Sequence, residues 1–249
     1  MPEPKVAVYH GARNVSGKKT AAFLRKRRIP FKMVCEDDIL AGCLHRYGCV
    51  IFPGGHSVAV DKAARRNVLE FVNAGGGFMG ICAGCNFGAG LGLLPLGRKT
   101  LRASGMFDMR VVRKHPVTHG YQVTARTRKG RPFHYSPEGR VRIRYNNGGL
   151  LLAEKGATPL VCFDEEDLYA SIVAGRYGKG RVVLISSHPE STPAAKPDTD
   201  LARVQDPAGL VVNAIEWITF GKNHGGQGAR APHNRMKMEW HLHKHLPGG

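Results

Sequence analysis

The chain has 249 residues and a formal net charge of +18 at pH 7. Its hydrophobic fraction of 42% is enough for a substantial core, and no uncharged apolar run approaches the roughly 18 residues that a membrane span needs. We therefore expect a soluble globular protein. The 32 glycines lie between apolar runs without a three-residue period, which excludes a collagen-like chain.

The first part of the chain alternates between short apolar runs and segments of helical length. This rhythm predicts βαβ units whose strands form a parallel sheet. Right-handed crossovers place such strands side by side. The predicted strands are 5–9, 31–35, 48–52 and 77–81, and the predicted helices are 16–27, 59–73 and 83–91.

From residue 106 to residue 187 the pattern changes to β-rich segments separated by turns, which predicts antiparallel additions to the sheet. The predicted strands are 110–112, 141–145, 150–152, 160–163 and 181–185. A last helix is predicted over 207–219, with Asp206 as its N-cap. We expect one domain, 1–221, followed by a flexible tail, 222–249, that is rich in glycine, histidine and basic residues.

The segment from Gly80 to Gly84 places Cys82 where a predicted strand ends and a predicted helix begins. The spacing G-x-C-x-G is typical of a nucleophile elbow, because the sharp turn brings backbone close on both sides of the nucleophile. A helix N-terminus next to the sulfur also favours the thiolate. The sequence therefore predicts a nucleophilic Cys82, and a buried structural cysteine in a glycine-rich turn is the alternative.

A cysteine nucleophile needs a base, and His188 follows a predicted strand. Glu190 stands two residues later. In an extended segment residues i and i+2 share a face, so Glu190 can bond one imidazole nitrogen while the other faces the thiol. The alternative is an ordinary surface loop after a strand.

The strand that ends at Phe52 runs into the turn Pro53-Gly54-Gly55. Backbone N–H groups from this turn and from Ala83 are candidates for an oxyanion site, where each donor typically contributes about 10² to 10³ in rate. The alternative is a simple strand terminator.

Together these segments resemble the class I glutamine amidotransferase-like superfamily, and the residues around them resemble its biotin-protein ligase N-terminal-domain-like branch. The matching segments are 52–55, 77–84, 145–149 and 178–190. The resemblance extends over residues 5–220 and leaves out the tail. It implies a flavodoxin-like, three-layer α/β sandwich whose sheet is mostly parallel with antiparallel additions.

The resemblance also implies a catalytic triad of Cys82 as nucleophile, His188 as general base and Glu190 as its orienting carboxylate. The residues that it implies for the oxyanion and substrate-binding site are Gly54, Gly55, Ala83, Asn147 and Gly148. We expect no cofactor and no metal. Asn86 stands where glutaminases carry a glutamine, and neither a synthetase nor a biotin ligase catalytic domain accompanies the motifs, so we expect a small carboxamide-like substrate without specifying glutamine or biotin.

Three further features have competing interpretations. Cys82 and Cys85 form a C-x-x-C pair, for which a dithiol role is the alternative to an elbow followed by a core cysteine. The histidines of 222–249 favour adventitious rather than physiological metal binding. The six cysteines lie mostly in apolar segments, and we expect no secretory signal, which indicates reduced thiols and a cytoplasmic location.

Basic residues are concentrated between Arg98 and Arg144, with Phe133, His134 and Tyr135 available for stacking. The basic positions in this stretch are 98, 99, 102, 110, 113, 114, 126, 128, 129, 131, 140, 142 and 144. The first predicted helix and the residues just after it add Lys18, Lys19, Arg25, Lys26, Arg27 and Arg28. A shared face would bind RNA or another polyanion, and a solvated surface is the alternative.

The leading hypothesis is therefore a thiol hydrolase or acyl-transfer enzyme that forms a thioester on Cys82. One rival is a non-catalytic module that binds RNA, a ribonucleoprotein or an acidic protein through its basic surface. Another is a regulatory protein whose Cys82 senses oxidants or electrophiles. The sequence does not specify the oligomeric state.

Overall fold

The chain folds into a mixed sheet with helices on both faces. A computed structural model describes residues 5–11, 17–55, 58, 60–123, 139–163, 169–193 and 205–220. Its strands are Val6–Tyr9 (β1), Phe31–Val34 (β2), Cys49–Phe52 (β3), Gly77–Ile81 (β4), Leu96–Lys99 (β5), Ser104–Val111 (β6), Arg140–Asn146 (β7), Leu150–Ala153 (β8), Ala157–Cys162 (β9), Ala170–Tyr177 (β10) and Gly180–Ile185 (β11). Its α-helices are Gly17–Lys26 (α1), Glu36–Leu40 (α2), Lys62–Asn73 (α3), Ala83–Gly90 (α4) and Ala208–Phe220 (α5).

The sheet has a parallel part and an antiparallel part. Its strand order is β2-β1-β3-β4-β11-β10-β9-β6-β7, and β8 pairs with β10 and β5. Neighbours from β2 to β11 are parallel, whereas β10, β9, β6 and β7 are added antiparallel. The predicted flavodoxin-like α/β fold, a parallel sheet with antiparallel additions, is confirmed.

Alternating side chains of the parallel strands enter two separate cores. In β1, Val6 and Val8 belong to one core and Ala7 and Tyr9 to the other, as a period of two residues requires. The first core also contains buried residues of α1 and α5, and the second contains those of α3 and α4. These helices therefore cover opposite faces of the sheet and make the predicted three layers.

The antiparallel part departs most from the predicted elements. Strand β10 was not predicted, because its first five residues are all buried and lack the alternation expected of a half-exposed strand. It joins β11 through a two-residue turn in which Gly178 has a φ of 55°. Strand β6 begins at Ser104, well before the predicted 110–112.

The carboxyl ends of strands β3, β4 and β11 lie at the same edge of the sheet. Strands β3, β4 and β11 are parallel neighbours, with Phe52 paired to Gly80 and Ile185 paired to Ile81. Residues that directly follow these strands therefore emerge together. This edge receives the Pro-Gly-Gly turn, the predicted elbow and the segment that contains His188.

The last helix begins at Ala208, whose amide donates to the Asp206 carboxylate at 3.0 Å, so Asp206 caps it as expected. No helix in the described ranges is long and apolar enough to cross a membrane. Residues 222–249, and with them the predicted tail, lie outside the described residues.

The predicted basic stretch does not form one uniform surface. Arg110 is buried, and Asp108 forms ion pairs with Arg140 at 2.8 Å and Arg142 at 3.8 Å. The stacking candidates within 124–138, and four of the basic positions, lie outside the described residues. On α1, by contrast, Lys18, Lys19, Arg25 and Lys26 are all exposed.

Candidate active site

Cys82 occupies the bend between β4 and α4 in a backbone conformation that is rare for residues other than glycine. Its φ is 51° and its ψ is −106°. Such a conformation typically costs about 1 to 3 kcal/mol and persists only where the surrounding structure enforces it. Here the Cys82 amide donates to the carbonyl of Ile185 at 2.7 Å, and its carbonyl accepts from Asn86 at 3.0 Å. The strained cysteine is thus held between strand β11 and helix α4.

The glycines on both sides of Cys82 are required by close backbone contacts. A Cβ atom at Gly84 would lie 1.8 Å from the carbonyl oxygen of Phe52. One at Gly80 would lie 2.3 Å from the carbonyl oxygen of Gly84. Since these contacts are with backbone, which cannot rotate away, the sharp bend depends on both glycines.

His188 and Glu190 form a buried pair beside the elbow. The His188 Nδ1 atom lies 3.0 Å from Glu190 Oε1, and the Glu190 side chain is fully buried. The expected contact is made, but the expected extended conformation is wrong. Pro189–Ser191 forms a short 3-10 helix with Pro189 at its start, and this turn brings Glu190 back to the ring.

The surroundings of His188 favour its protonated form. Burial by itself would lower the pKa of His188, but hydrogen bonding to Cys82 and Glu190, together with the negative charge of both groups, raises it to about 10. Among the described groups, the second carboxylate oxygen of Glu190 has no hydrogen-bond partner. The Glu190 carboxylate is therefore directed chiefly at the imidazole, which stabilises the positive charge on the ring.

Backbone contacts fix His188 against strand β7. Its amide donates to the carbonyl of Arg144 at 2.7 Å, and its own carbonyl accepts from the Thr192 hydroxyl at 2.8 Å. The same hydroxyl oxygen accepts from the Arg144 amide at 3.0 Å. Just before His188, the buried Ser187 hydroxyl accepts from the Ser171 hydroxyl at 2.6 Å. The imidazole is thus presented by a rigid loop.

Gly54 lies against both the predicted nucleophile and the predicted base. A Cβ atom at this position would lie 2.9 Å from His188 Cε1 and 3.0 Å from Cys82 Cβ. Gly55 follows it and is half-buried. Ala83 is the first residue of α4, where the amide N–H has no preceding helical carbonyl to bond. The predicted oxyanion residues therefore border the elbow.

The last residue of β7 contacts the thiol directly, and the turn after it packs beside the site. The Cys82 thiol donates to the carbonyl of Asn146 over 3.7 Å. Asn147 adopts a left-handed conformation with a φ of 53°, and its amide is already used in a 3.0 Å bond to the Ala103 carbonyl. A Cβ atom at Gly148 would lie 1.7 Å from the carbonyl oxygen of Ser186. Asn147 and Gly148 thus shape the site through backbone packing.

Tyr145 is a buried residue of the site that the sequence analysis did not single out. Its hydroxyl accepts from the Gly149 amide at 2.9 Å and donates to the Leu101 carbonyl at 3.0 Å. The Asn146 side chain is held by the Ser104 hydroxyl at 2.6 Å. A tyrosine immediately before a polar, glycine-rich turn was the available signal, because buried tyrosine hydroxyls usually find a partner.

Two neighbours of the elbow bear on the alternatives raised by the sequence. Cys85 is completely buried in the core between the sheet and α4, as expected of a core cysteine, and burial raises the pKa of its thiol. All six cysteines are free. Asn86 lies one helical turn after Cys82, and its carbonyl and side-chain oxygens each lie 3.4 Å from Arg98 Nη1.

Part of the chain matches a known family in sequence. Residues 43–117 match the family described as "Biotin-protein ligase, N terminal". This segment includes the Pro-Gly-Gly turn and the elbow. No curated protein matches the chain in sequence.

Solved structures resemble the chain over most of its length. In a structure of PurLQS from Thermotoga maritima, the similar chain is 16% identical, with a TM-score of 0.62 and coverage of 86% of this chain and 99% of that chain. A glutamine amidotransferase from the same organism is 16% identical, with a TM-score of 0.54 and coverage of 86% and 97%. The fold is glutamine amidotransferase-like.

The amidotransferase-like fold does not by itself specify a reaction. A β-galactosidase from Bacillus circulans sp. alkalophilus is also similar, at 16% identity and a TM-score of 0.55. The match covers 86% of this chain but 31% of the β-galactosidase. An assignment of function must therefore come from the side chains of the site.

Proposed function

We propose that the chain is a thiol hydrolase or acyl-transfer enzyme that acts on a carboxamide-like substrate through Cys82, His188 and Glu190. The observation that carries this proposal is the strained Cys82 beside an imidazole that is itself bonded to a buried carboxylate. A strained cysteine, a neighbouring imidazole and an orienting acid are the parts that thiol catalysis requires.

In the proposed reaction, the protonated His188 keeps Cys82 as a thiolate, and the Cys82 sulfur attacks the carbonyl carbon of the amide. The C–N bond then breaks, His188 gives its proton to the leaving amine, and a thioester remains on the sulfur. Water attacks the thioester while giving a proton to His188, which releases a carboxylic acid and restores the Cys82 thiolate beside the protonated imidazole. An amine in place of water completes acyl transfer.

The oxyanion of the tetrahedral intermediate needs hydrogen-bond donors next to the sulfur. The Ala83 amide at the start of α4 is one candidate, and the Gly54-Gly55 turn supplies the others. The amide of Asn147 is not a candidate, because it already bonds the Ala103 carbonyl. The free thiols support a reducing compartment, and we propose a cytoplasmic location.

A second candidate function is binding of RNA or another polyanion by the exposed basic face of α1. This face carries Lys18, Lys19, Arg25 and Lys26, and α1 contains no acidic residue. Phosphate contacts of this kind would weaken steeply with salt. Salt-dependent retention on RNA together with unchanged cellular fitness of Cys82→Ala would favour this function over catalysis.

The decisive experiment measures alkylation of Cys82 by iodoacetamide as a function of pH, using mass spectrometry of the Cys82 peptide. We expect His188→Ala to lower the rate at pH 7 by about 10²-fold, as loss of an acid–base partner typically does. His119→Ala, at an exposed histidine, is the matched control. Identical profiles for wild type and His188→Ala would overturn the proposal.

Turnover is tested by incubating the protein with a panel of small carboxamides and assaying ammonia release. Acid-quenched samples should contain a thioester on Cys82 that hydroxylamine removes, and Cys82→Ala should show none. Ready oxidation of Cys82 to the sulfenic acid, without turnover of any amide, would instead favour an oxidant sensor.

A further inference from the structure

We infer that the hydroxyl of Thr20, on helix α1, positions Glu190 by holding its second carboxylate oxygen through one buried water molecule. The inference rests on the proposed function for the role of Glu190. It adds a residue that lies outside every motif of the site and more than 160 positions before its partner in the sequence. Thr20 does not touch the reacting atoms, so it is a positioning residue that acts through the pair of Glu190 and His188.

Thr20 and Glu190 each bury a polar atom that has no partner among the described residues. Thr20 is completely buried, and its Oγ1 atom makes no described hydrogen bond. Glu190 Oε2 is in the same condition, although Oε1 of the same carboxylate lies 3.0 Å from the His188 ring. Leaving a buried polar atom unpaired is costly, and most costly for a charged group. Both atoms therefore require a partner.

The fold brings these two residues to the same edge of the sheet. Gly17, the first residue of α1, lies at the carboxyl end of β1, where its Cβ atom would be 3.6 Å from the Tyr9 carbonyl oxygen. Thr20 follows about 4.5 Å further along the helix axis. Helix α1 also packs against Pro189–Ser191, the 3-10 turn that carries Glu190. The buried side of α1 thus faces the turn that holds the carboxylate.

Ser186 and Gln205, which also bury polar atoms without a described partner, lie away from this carboxylate. Ser186 continues the alternation of β11, which puts its side chain on the same face as Leu184, in the second core. The Gln205 amide donates to the Arg140 carbonyl at the start of β7, whereas His188 contacts the same strand four residues, or about 13 Å, further on. The threonine of α1 is therefore the better-placed donor.

A single water molecule suits the chemistry of both atoms. A carboxylate oxygen only accepts hydrogen bonds, whereas a threonine hydroxyl both donates and accepts. The two side chains do not bond each other directly in the structure. Buried waters typically bridge such groups. A water that accepts from Thr20 and donates to Glu190 Oε2 satisfies both, and it leaves Oε1 for the imidazole.

The hydroxyl stabilises the charged form of Glu190 and, through it, the charge on His188. Against the effect of burial, hydrogen bonding to Cys82 and Glu190 raises the pKa of His188 to about 10. Without its donor the buried carboxylate is less stable as an anion, so the proton on the imidazole moves toward it. A neutral ring no longer keeps Cys82 as a thiolate. Loss of the Thr20 hydroxyl should therefore slow reactions of the sulfur.

The test compares Thr20→Val, which removes the hydroxyl, with Thr20→Ser, which keeps the hydroxyl and removes a methyl group. We expect Thr20→Val to lower the rate of Cys82 alkylation by iodoacetamide at pH 7 about 10-fold, as loss of a hydrogen bond to a charged group does. Thr20→Ser should keep the wild-type rate. A packing role predicts the reverse order, because valine fills the space and serine leaves a small cavity. That reverse order, or equal rates for the two variants, would overturn the inference.

Nitrogen-15 NMR of the His188 ring gives a readout that does not depend on the sulfur. In Thr20→Val the two ring nitrogens should shift toward the values of a neutral imidazole, and in Thr20→Ser they should stay at the wild-type values. Unchanged signals in Thr20→Val would refute the contact. In a Glu190→Gln background, Thr20→Val should cause little further loss of rate, because the charge that it supports is already gone. A further 10-fold loss there would show that Thr20 acts elsewhere.

Thr118→Val is the matched control, because Thr118 is also buried and its hydroxyl donates to the Arg113 carbonyl at 2.7 Å. It should lower the thermal stability but change neither the alkylation rate nor the His188 signals, and an equal loss of rate would count against a specific role of Thr20.

The two proposals fail in different ways. If His188→Ala leaves alkylation unchanged, the proposed catalysis is wrong, while the ring signals of His188 still test whether Thr20 holds Glu190. If His188→Ala slows alkylation but the valine and serine variants of Thr20 behave alike, only the role of Thr20 is wrong.

Discussion

Substitution of Gly54 by alanine tests whether the imidazole and the thiol must share the space beside this residue. The added Cβ would lie 2.9 Å from His188 Cε1 and 3.0 Å from Cys82 Cβ. Carbon atoms normally make contact at about 3.5 to 4.0 Å, so the ring or the cysteine must move by roughly 0.5 to 1 Å. A displacement of about 1 Å in a catalytic group can reduce the rate by about 10²-fold.

We expect Gly54→Ala to fold normally and to alkylate at Cys82 about 10- to 100-fold more slowly than wild type at pH 7. The rate is measured with iodoacetamide, and thermal unfolding followed by circular dichroism checks the fold. Gly90→Ala is the control. Gly90 is an exposed residue of α4, the helix that follows Cys82, and a Cβ there would meet nothing within 4 Å.

A double-mutant cycle shows whether Gly54→Ala slows alkylation by displacing the His188 ring or by acting on Cys82 alone. If Gly54→Ala acts by displacing the imidazole, it should cause little further loss in a His188→Ala background, because the displaced group is already gone. Equal loss in both backgrounds would show that the methyl group acts on Cys82 alone. An unchanged rate in well-folded Gly54→Ala would refute the proposed arrangement of nucleophile and base.

Two further predictions concern stability. The pKa of His188 is raised from 6.5 to about 10 in the folded state. The contribution of protonated His188 to folding stability should therefore be complete below about pH 6.5 and disappear as the pH rises through 10. The difference in free energy of unfolding between wild type and His188→Gln should therefore narrow over that range in urea titrations, and a constant or widening difference would contradict the assignment. Gly148→Ala should lower the free energy of unfolding by about 3 kcal/mol or more, because its Cβ would lie 1.7 Å from the Ser186 carbonyl oxygen. A loss no larger than that of Gly90→Ala would show that the turn is free to move.

The parallel half of the fold could be predicted because its signals are local. Each strand there is a short apolar run followed by a turn and a helix, and the predicted bounds of β4, 77–81, agree with Gly77–Ile81. The glycines around Cys82 carry a steric requirement that can be read without coordinates. Strand β10 was missed because complete burial removes the alternation on which a strand prediction depends.

The pairing of His188 with Glu190 shows how a correct contact can follow from an incorrect backbone. Two residues of separation suggested a shared face of an extended chain, whereas the structure brings the carboxylate back through a 3-10 turn that starts at Pro189. Proline fixes its own φ near −65°, a value compatible with both polyproline and helical turns. The residue types therefore specified the pair, and the local conformation had to come from the structure.

The contacts of the Cys82 thiol could not be predicted from local sequence patterns. Its carbonyl partner, Asn146, is 64 residues away in the sequence. Asn146 reaches the elbow because β7 pairs with β6 in a register that sets it opposite Ser104, whose hydroxyl holds the Asn146 side chain. Periodicity reports which face of a strand is buried, but not which strands become neighbours. Loss of the Ser104 hydroxyl should therefore loosen a contact of the Cys82 thiol without changing any residue of the proposed triad.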